Sequence, residues 1–139
     1  MTWWFYALVA AAAASATAIL AKVGVREVPS NLATAIRTSV VLAFASGIVL
    51  ATREHHALRA LDRRSVLFLV LSGVATGVSW LAYFKALQMA PVSRVAPIDK
   101  ASLAFTIVMA GLLLGEPITW KVGLGAALMV LGALLTTLS

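Results

Sequence analysis

The sequence predicts an all-α integral membrane protein with five transmembrane helices. Three observations carry that prediction. Of 139 residues, 62% are hydrophobic and only 12% are charged. A soluble domain of this length carries roughly 25% charged residues, so too little polar surface remains here to cover a globule in water. Mean hydropathy is +1.00, and the apolar residues fall into long uninterrupted runs. Charges gather where those runs begin or end, the placement a bilayer requires, because ions are costly near its centre and tolerable near its edges.

The first run, residues 3–21, is uncharged. At 1.5 Å per residue it extends about 28 Å, close to the thickness of the hydrocarbon core. No Lys or Arg precedes it and it is long for the core of a signal peptide, so it reads as a membrane span. Trp3, Trp4 and Tyr6 suit an interfacial position. Its many alanines offer a surface for close helix packing.

A short polar turn, residues 22–31, follows, with Ser30 and Asn31 as N-cap candidates. The second span covers residues 32–52 and carries one conspicuous charge, Arg37, about a turn and a half inside. Residues 53–64 form the one sizeable loop, with Arg53, Arg59, Arg63 and Arg64. His55 and His56 adjoin one another there. With no Cys in the chain and no further His, the pair reads as a solvated loop feature rather than a metal site.

The third span covers residues 65–89 and ends at Ala90-Pro91; the fourth, residues 95–114, enters through Pro97-Ile98-Asp99-Lys100. Gly115-Glu116-Pro117 turns the chain into the fifth, residues 118–138. Short connections leave no room for a soluble domain, so residues 1–139 read as a single domain without internal repeat. Gly73/Gly77 and Gly111/Gly115 match G-x-x-x-G, and Gly125 and Gly132 offer a further seam. Such spacing lets helix backbones approach closely and speaks for packing rather than function.

Polar residues mark faces within the spans. Ser72, Thr76, Ser79 and Tyr83 recur at i, i+4, i+7 and i+11 of the third helix, one stripe. Gly73, Gly77, Trp80 and Phe84 form the adjoining one. In the fourth helix Asp99, Ser102 and Thr106 fall at i, i+3 and i+7. Two such stripes on consecutive helices suggest facing walls of a polar cavity; the competing reading is that the hydroxyls bond back to their own helices or glue neighbours together. Aromatic rings beside hydroxyls suit amphipathic or cationic small molecules. Asp99 lies about 25 Å from Glu116 along its helix, and Arg37 and Lys85 are expected near the same end, so Arg37 or Lys85 is the expected partner of Asp99. The expected substrate-binding residues are Arg37, Ser72, Thr76, Trp80, Tyr83, Phe84, Asp99 and Ser102. No catalytic residue, cofactor or metal site is expected, since no nucleophile–base pair or ligand set is present.

Several of these residues occur in a familiar order. Lys22 closes the first helix and Arg37 comes early in the second. Tyr83-Phe84-x-Ala86-Leu87 ends the third, Pro91-Val92-Ser93-x-Val95-Ala96-Pro97 leads into the fourth, and Gly115-Glu116 precedes a glycine-rich fifth. This pattern resembles one EamA-type unit of the drug/metabolite transporter superfamily, over nearly the whole chain. Many members hold two such units in ten helices; this one resembles the short, single-unit members. The resemblance implies two units packed with opposite membrane orientation, a central cavity lined by helices 1–4, helix 5 outside, and transport of small polar or amphipathic metabolites, often outward. Four-helix multidrug relatives use an acidic residue in helix 1 for proton coupling; helix 1 here has none. Glu116, at a helix junction, reads as a cap for the fifth helix.

The expected function is therefore a transporter, an exporter of small metabolites working as a homodimer, placed in the cell membrane (in bacteria, the inner membrane). The alternative is a non-transporting subunit or modulator that assembles with another membrane protein. Membrane lipid and a small-molecule substrate are the expected partners. The formal charge of +6 sits mostly in loops, where it sets topology or meets anionic lipid, so nucleic acid is not an expected partner. One side of the membrane receives Arg53, Arg59, Arg63, Arg64 and Lys121; the other receives Lys22, Arg26 and Arg94, joined by the shallow Arg37 and Lys100. The larger loop favours a cytoplasmic N-terminus, but the bias is small. A small bias, with a five-helix unit unable to close a cavity alone, predicts dual topology and an antiparallel homodimer.

Overall fold

The computed structural model describes residues 2–138, apart from the side chain of Arg59, so the charge counted there lies outside the described side chains. The elements run in the order α1 (Trp3–Gly24), α2 (Ser30–Ala51), a 3-10 helix (Glu54–Ala60), α3 (Arg63–Met89), α4 (Val92–Leu114) and α5 (Trp120–Thr137). All five α-helices are long and apolar enough to cross a membrane, and there is no strand among the described residues. Side chains such as Phe44, Phe105 and Leu112 are largely exposed; in water that surface would be untenable, and in a bilayer it is where lipid tails lie.

The chain packs as two compact units. One comprises the described residues of Met1–Leu20 and Met89–Ser139. Within it α4 and α5 pack on each other. Sheltered positions in these helices are mostly small: Ala101, Ala104, Ala110 and Gly111 on α4, and Gly125, Ala126 and Ala133 on α5. Small residues bring helix backbones close enough for dispersion contacts to hold them where water supplies no hydrophobic drive. Gly132, expected in the same seam as Gly125, is exposed.

The turn between α4 and α5 departs from the sequence reading. Gly115 lies outside the helix in the left-handed region, φ 69°, and both its N–H and that of Glu116 donate to the Ala110 carbonyl. It is a helix stop, so the pair Gly111/Gly115 is not a packing motif. Residues 115–119 are not helical, and α5 starts at Trp120, two residues later than expected. Thr119, not Glu116, caps it, accepting the Val122 N–H at 3.4 Å. A Cβ at Gly111 would meet the tip of Ile118 at 2.5 Å, so the extended segment folds back over the end of α4.

Helix α4 begins at Val92, three residues earlier than expected. Pro91, with φ −67° and ψ 151°, precedes it, and its carbonyl accepts the N–H groups of Arg94 and Val95 at 3.0 and 3.1 Å. Pro97, expected at the helix start, therefore sits inside the second turn. It has no N–H to give the Ser93 carbonyl four residues back, so one rung of the helix is missing there.

The second unit is Ala21–Gln88: the end of α1, the connection through residues 25–29, α2, the 3-10 helix and α3. The expected caps of α2 do not form. Pro29 occupies the N-cap position without a side-chain bond, its carbonyl accepts the Ala33 N–H at 2.9 Å, and Ser30 instead gives its carbonyl to the Thr34 hydroxyl at 2.8 Å. The best-buried residues of this unit are Val25, Thr34, Phe84 and Leu87, which puts its core at the C-terminal end of α3.

Candidate functional site

Trp80, Phe84 and Leu87 recur at i, i+4 and i+7, one stripe of α3. This stripe, continuous with the half-buried Gly77, is the packed one: Phe84 is 2% exposed and Leu87 fully enclosed. The neighbouring hydroxyl stripe divides. Tyr83 is half-buried near the packed end, whereas Ser72, Thr76 and Ser79 are exposed. The Thr76 hydroxyl donates to the Ser72 carbonyl at 2.8 Å.

Arg37, two turns into α2, lies flat on this packed stripe. Its guanidinium carbon is 3.1 Å from the Trp80 ring centroid and 5.9 Å from that of Phe84. Trp80 in turn meets Tyr83 and Phe84 edge to face, at 5.5 and 5.4 Å. A desolvated cation on an indole face gains up to about 2 kcal/mol, which accounts for an Arg tolerated so far inside a span. The stack uses the face of the guanidinium and leaves its in-plane donors aside. Nη1 is enclosed with no hydrogen-bond partner.

In the other unit, Asp99 makes its ion pair with Lys100, Oδ2 to Nζ 3.1 Å, the side chains 34% and 61% exposed. An exposed pair of sequence neighbours contributes little to stability. Ser102 is exposed, and its carbonyl accepts the Thr106 hydroxyl at 3.1 Å. Of the expected site residues, Arg37, Trp80, Tyr83 and Phe84 come together. Ser72 and Thr76 lie further along α3, and Asp99 and Ser102 belong to α4. In the loop, the His55 and His56 rings pack on each other with centroids 4.1 Å apart.

Sequence reasoning missed what holds the cluster's end of α3 in place. Lys22, in the last turn of α1, donates from Nζ to the Leu87 carbonyl. Gln88 donates from Nε2 to the carbonyls of Val25 at 3.1 Å and Val28 at 2.7 Å. One ammonium thus serves the negative ends of two helices, and one amide ties α3 to the α1–α2 connection. The signal was present in outline: a Lys and a Gln each sit in the last turn of an apolar helix, where carbonyls lack partners.

Five helices long and apolar enough to cross a membrane define a multi-pass membrane protein. The chain belongs to the EamA-like transporter family, whose pattern it matches over residues 1–138. It is 46% identical over 134 residues to a protein of Sinorhizobium sp. described as an uncharacterized transporter in the cobO 3′ region, with 96% of this chain and 95% of that protein covered. No solved structure matches it. Its place is the cell membrane.

Proposed function

We propose that this transporter carries small polar or amphipathic metabolites outward, as an antiparallel homodimer whose cavity is lined by α1–α4 of both copies. Arg37 stacked on Trp80 with an enclosed donor unanswered carries this reading. A membrane protein retains an intramembrane ion for a use, by default contact with a solute or a proton path. Trp80, Tyr83 and Phe84 supply apolar contact around that ion. Ser72, Thr76, Asp99 and Ser102 complete the proposed substrate-facing set; the Thr76 hydroxyl, which donates to the Ser72 carbonyl, can still accept a hydrogen bond. Opposite orientation of the two copies is supported by the near balance of loop charges on the two sides.

Proteoliposomes holding the purified chain, loaded with amino acids, carboxylates, amines or sugars, test the carrier. Exchange of at least one class, abolished by Trp80→Ala, is the expected result. Retention of every solute, with a fixed partner co-purifying, would favour a non-transporting subunit. A C-terminal reporter active on one side only tests orientation: signal from both sides is expected. Signal from one side alone, unchanged on neutralising Arg63 and Arg64, would rule out dual topology.

A further inference from the structure

We infer that Arg37 is the receptor for an oxyanion, a carboxylate or phosphate carried on an apolar or aromatic body, which makes the solute class anionic or zwitterionic rather than cationic. The inference rests on the carrier reading and deepens it. Three observations meet at this residue. The guanidinium stacks on Trp80, its carbon 3.1 Å from the ring centroid. Its Nη1 is enclosed without an acceptor, and no ion pair or hydrogen bond from Arg37 to another described residue compensates its charge. The Phe84 ring centroid lies 5.9 Å from the guanidinium carbon, and Trp80 meets Tyr83 and Phe84 edge to face.

A guanidinium satisfied on its face but not at its edge has a definite demand. Its donors lie in one plane and form a fork that matches two oxygens of a carboxylate or phosphate. In a low-dielectric span the charge itself also needs compensation, which a neutral acceptor does not supply. A cationic solute is disfavoured twice: the indole face that would attract it already holds Arg37, and the fixed charge repels it. Arg37 is half-buried rather than enclosed as a whole, and the adjoining rings offer apolar contact to the body that carries the anion. An anionic lipid headgroup presents the same oxygens, so the test separates the two sources.

The test uses the full chain in a neutral maltoside detergent, with Trp3, Trp4 and Trp120 changed to Phe so that Trp80 alone reports by fluorescence. The probes are 3-phenylpropionate, its amide and 3-phenylpropylamine, with phosphatidylglycerol as the lipid arm. Saturable response to the acid is expected, with the amide and the amine at least about tenfold weaker. Arg37→Gln should weaken acid binding by about tenfold to a hundredfold, and Arg37→Lys should keep part of it. Should Arg37→Gln fail to fold, the ranking of acid, amide and amine on the Arg37 protein decides alone. Amine binding as tight as acid, no response to the acid, an unaltered Arg37→Gln protein, or a response confined to phosphatidylglycerol would each overturn the assignment. Uptake by the same preparation in liposomes keeps the two readings apart. Acid binding without any uptake removes the carrier and leaves the oxyanion site. Preferential uptake of amines removes the site and leaves the carrier.

Discussion

Replacing Gln88 by Ala should loosen the join between α3 and the α1–α2 connection. The amide lies between two carbonyls, Val25 at 3.1 Å and Val28 at 2.7 Å. Only its NH2 can bond both, so the orientation of the amide is forced by its partners. Each bond is worth about 0.5–1.5 kcal/mol net. The Val28 bond is exposed, so water replaces it and the loss there lies at the low end. The Val25 bond is partly buried beside a side chain only 2% exposed, and its carbonyl is left without a ready partner. The sum is about 2 kcal/mol, roughly a thirtyfold change in the unfolding equilibrium. Titration with dodecyl sulfate in mixed micelles, followed by far-ultraviolet circular dichroism, measures it. Gln88→Glu should be worse than Ala, because a carboxylate cannot donate and repels both carbonyls. A Glu variant as stable as the parent, or an Ala variant within about 0.5 kcal/mol of it, the spread of unremarkable surface changes, would refute the reasoning.

Other expectations follow from the helix ends. Lys22→Met removes the ammonium bonded to the Leu87 carbonyl and should cost about 1.5–3 kcal/mol, with Lys22→Arg recovering part, in the same micelle titration. Gly115→Ala forces a Cβ into the left-handed region at φ 69° and should lower stability by about 1 kcal/mol, read as a fall in the midpoint of thermal unfolding in detergent. Thr119→Ala loses the cap of α5; the 3.4 Å bond is long and exposed, so about 0.5 kcal/mol is expected, restored by Thr119→Ser.

Much of the fold was legible because hydropathy and helix length report a property of each residue in turn. All five helices lie where the apolar runs put them, and the aromatic end of α3 was readable from Trp80, Tyr83 and Phe84 at helical spacing. Arg37 stood out because a lone ion inside a span is costly. What was not legible depends on which partner each group finds in space. Gln88 and Lys22 reach carbonyls 60 to 65 residues away, and no local pattern encodes that choice. The ion pair of Asp99 is with Lys100, its neighbour in sequence; facing charges deduced from helix depth do not reveal so short a path. Thr119 rather than Glu116 caps α5 because Gly115 leaves its helix in the left-handed conformation and the extended segment after it carries Thr119, not Glu116, to the helix start. Pro97 suggested a helix start by its preference for the first turn, yet Pro91 already supplies the extended residue that a helix start requires.

The missing rung at Pro97 has a mechanical meaning. Elsewhere along α4, bending the helix must stretch or break a backbone hydrogen bond, and in hydrocarbon no water replaces it. Between Ser93 and Pro97 that bond was never made, so flexure there meets only torsional resistance. A machine that must expose its interior to each side of the bilayer in turn gains from having its compliance concentrated at one joint, because the rest of the helix then moves as a stiff lever. Stiffening that joint would trade speed for rigidity: the protein would hold its shape better and complete its cycle more slowly.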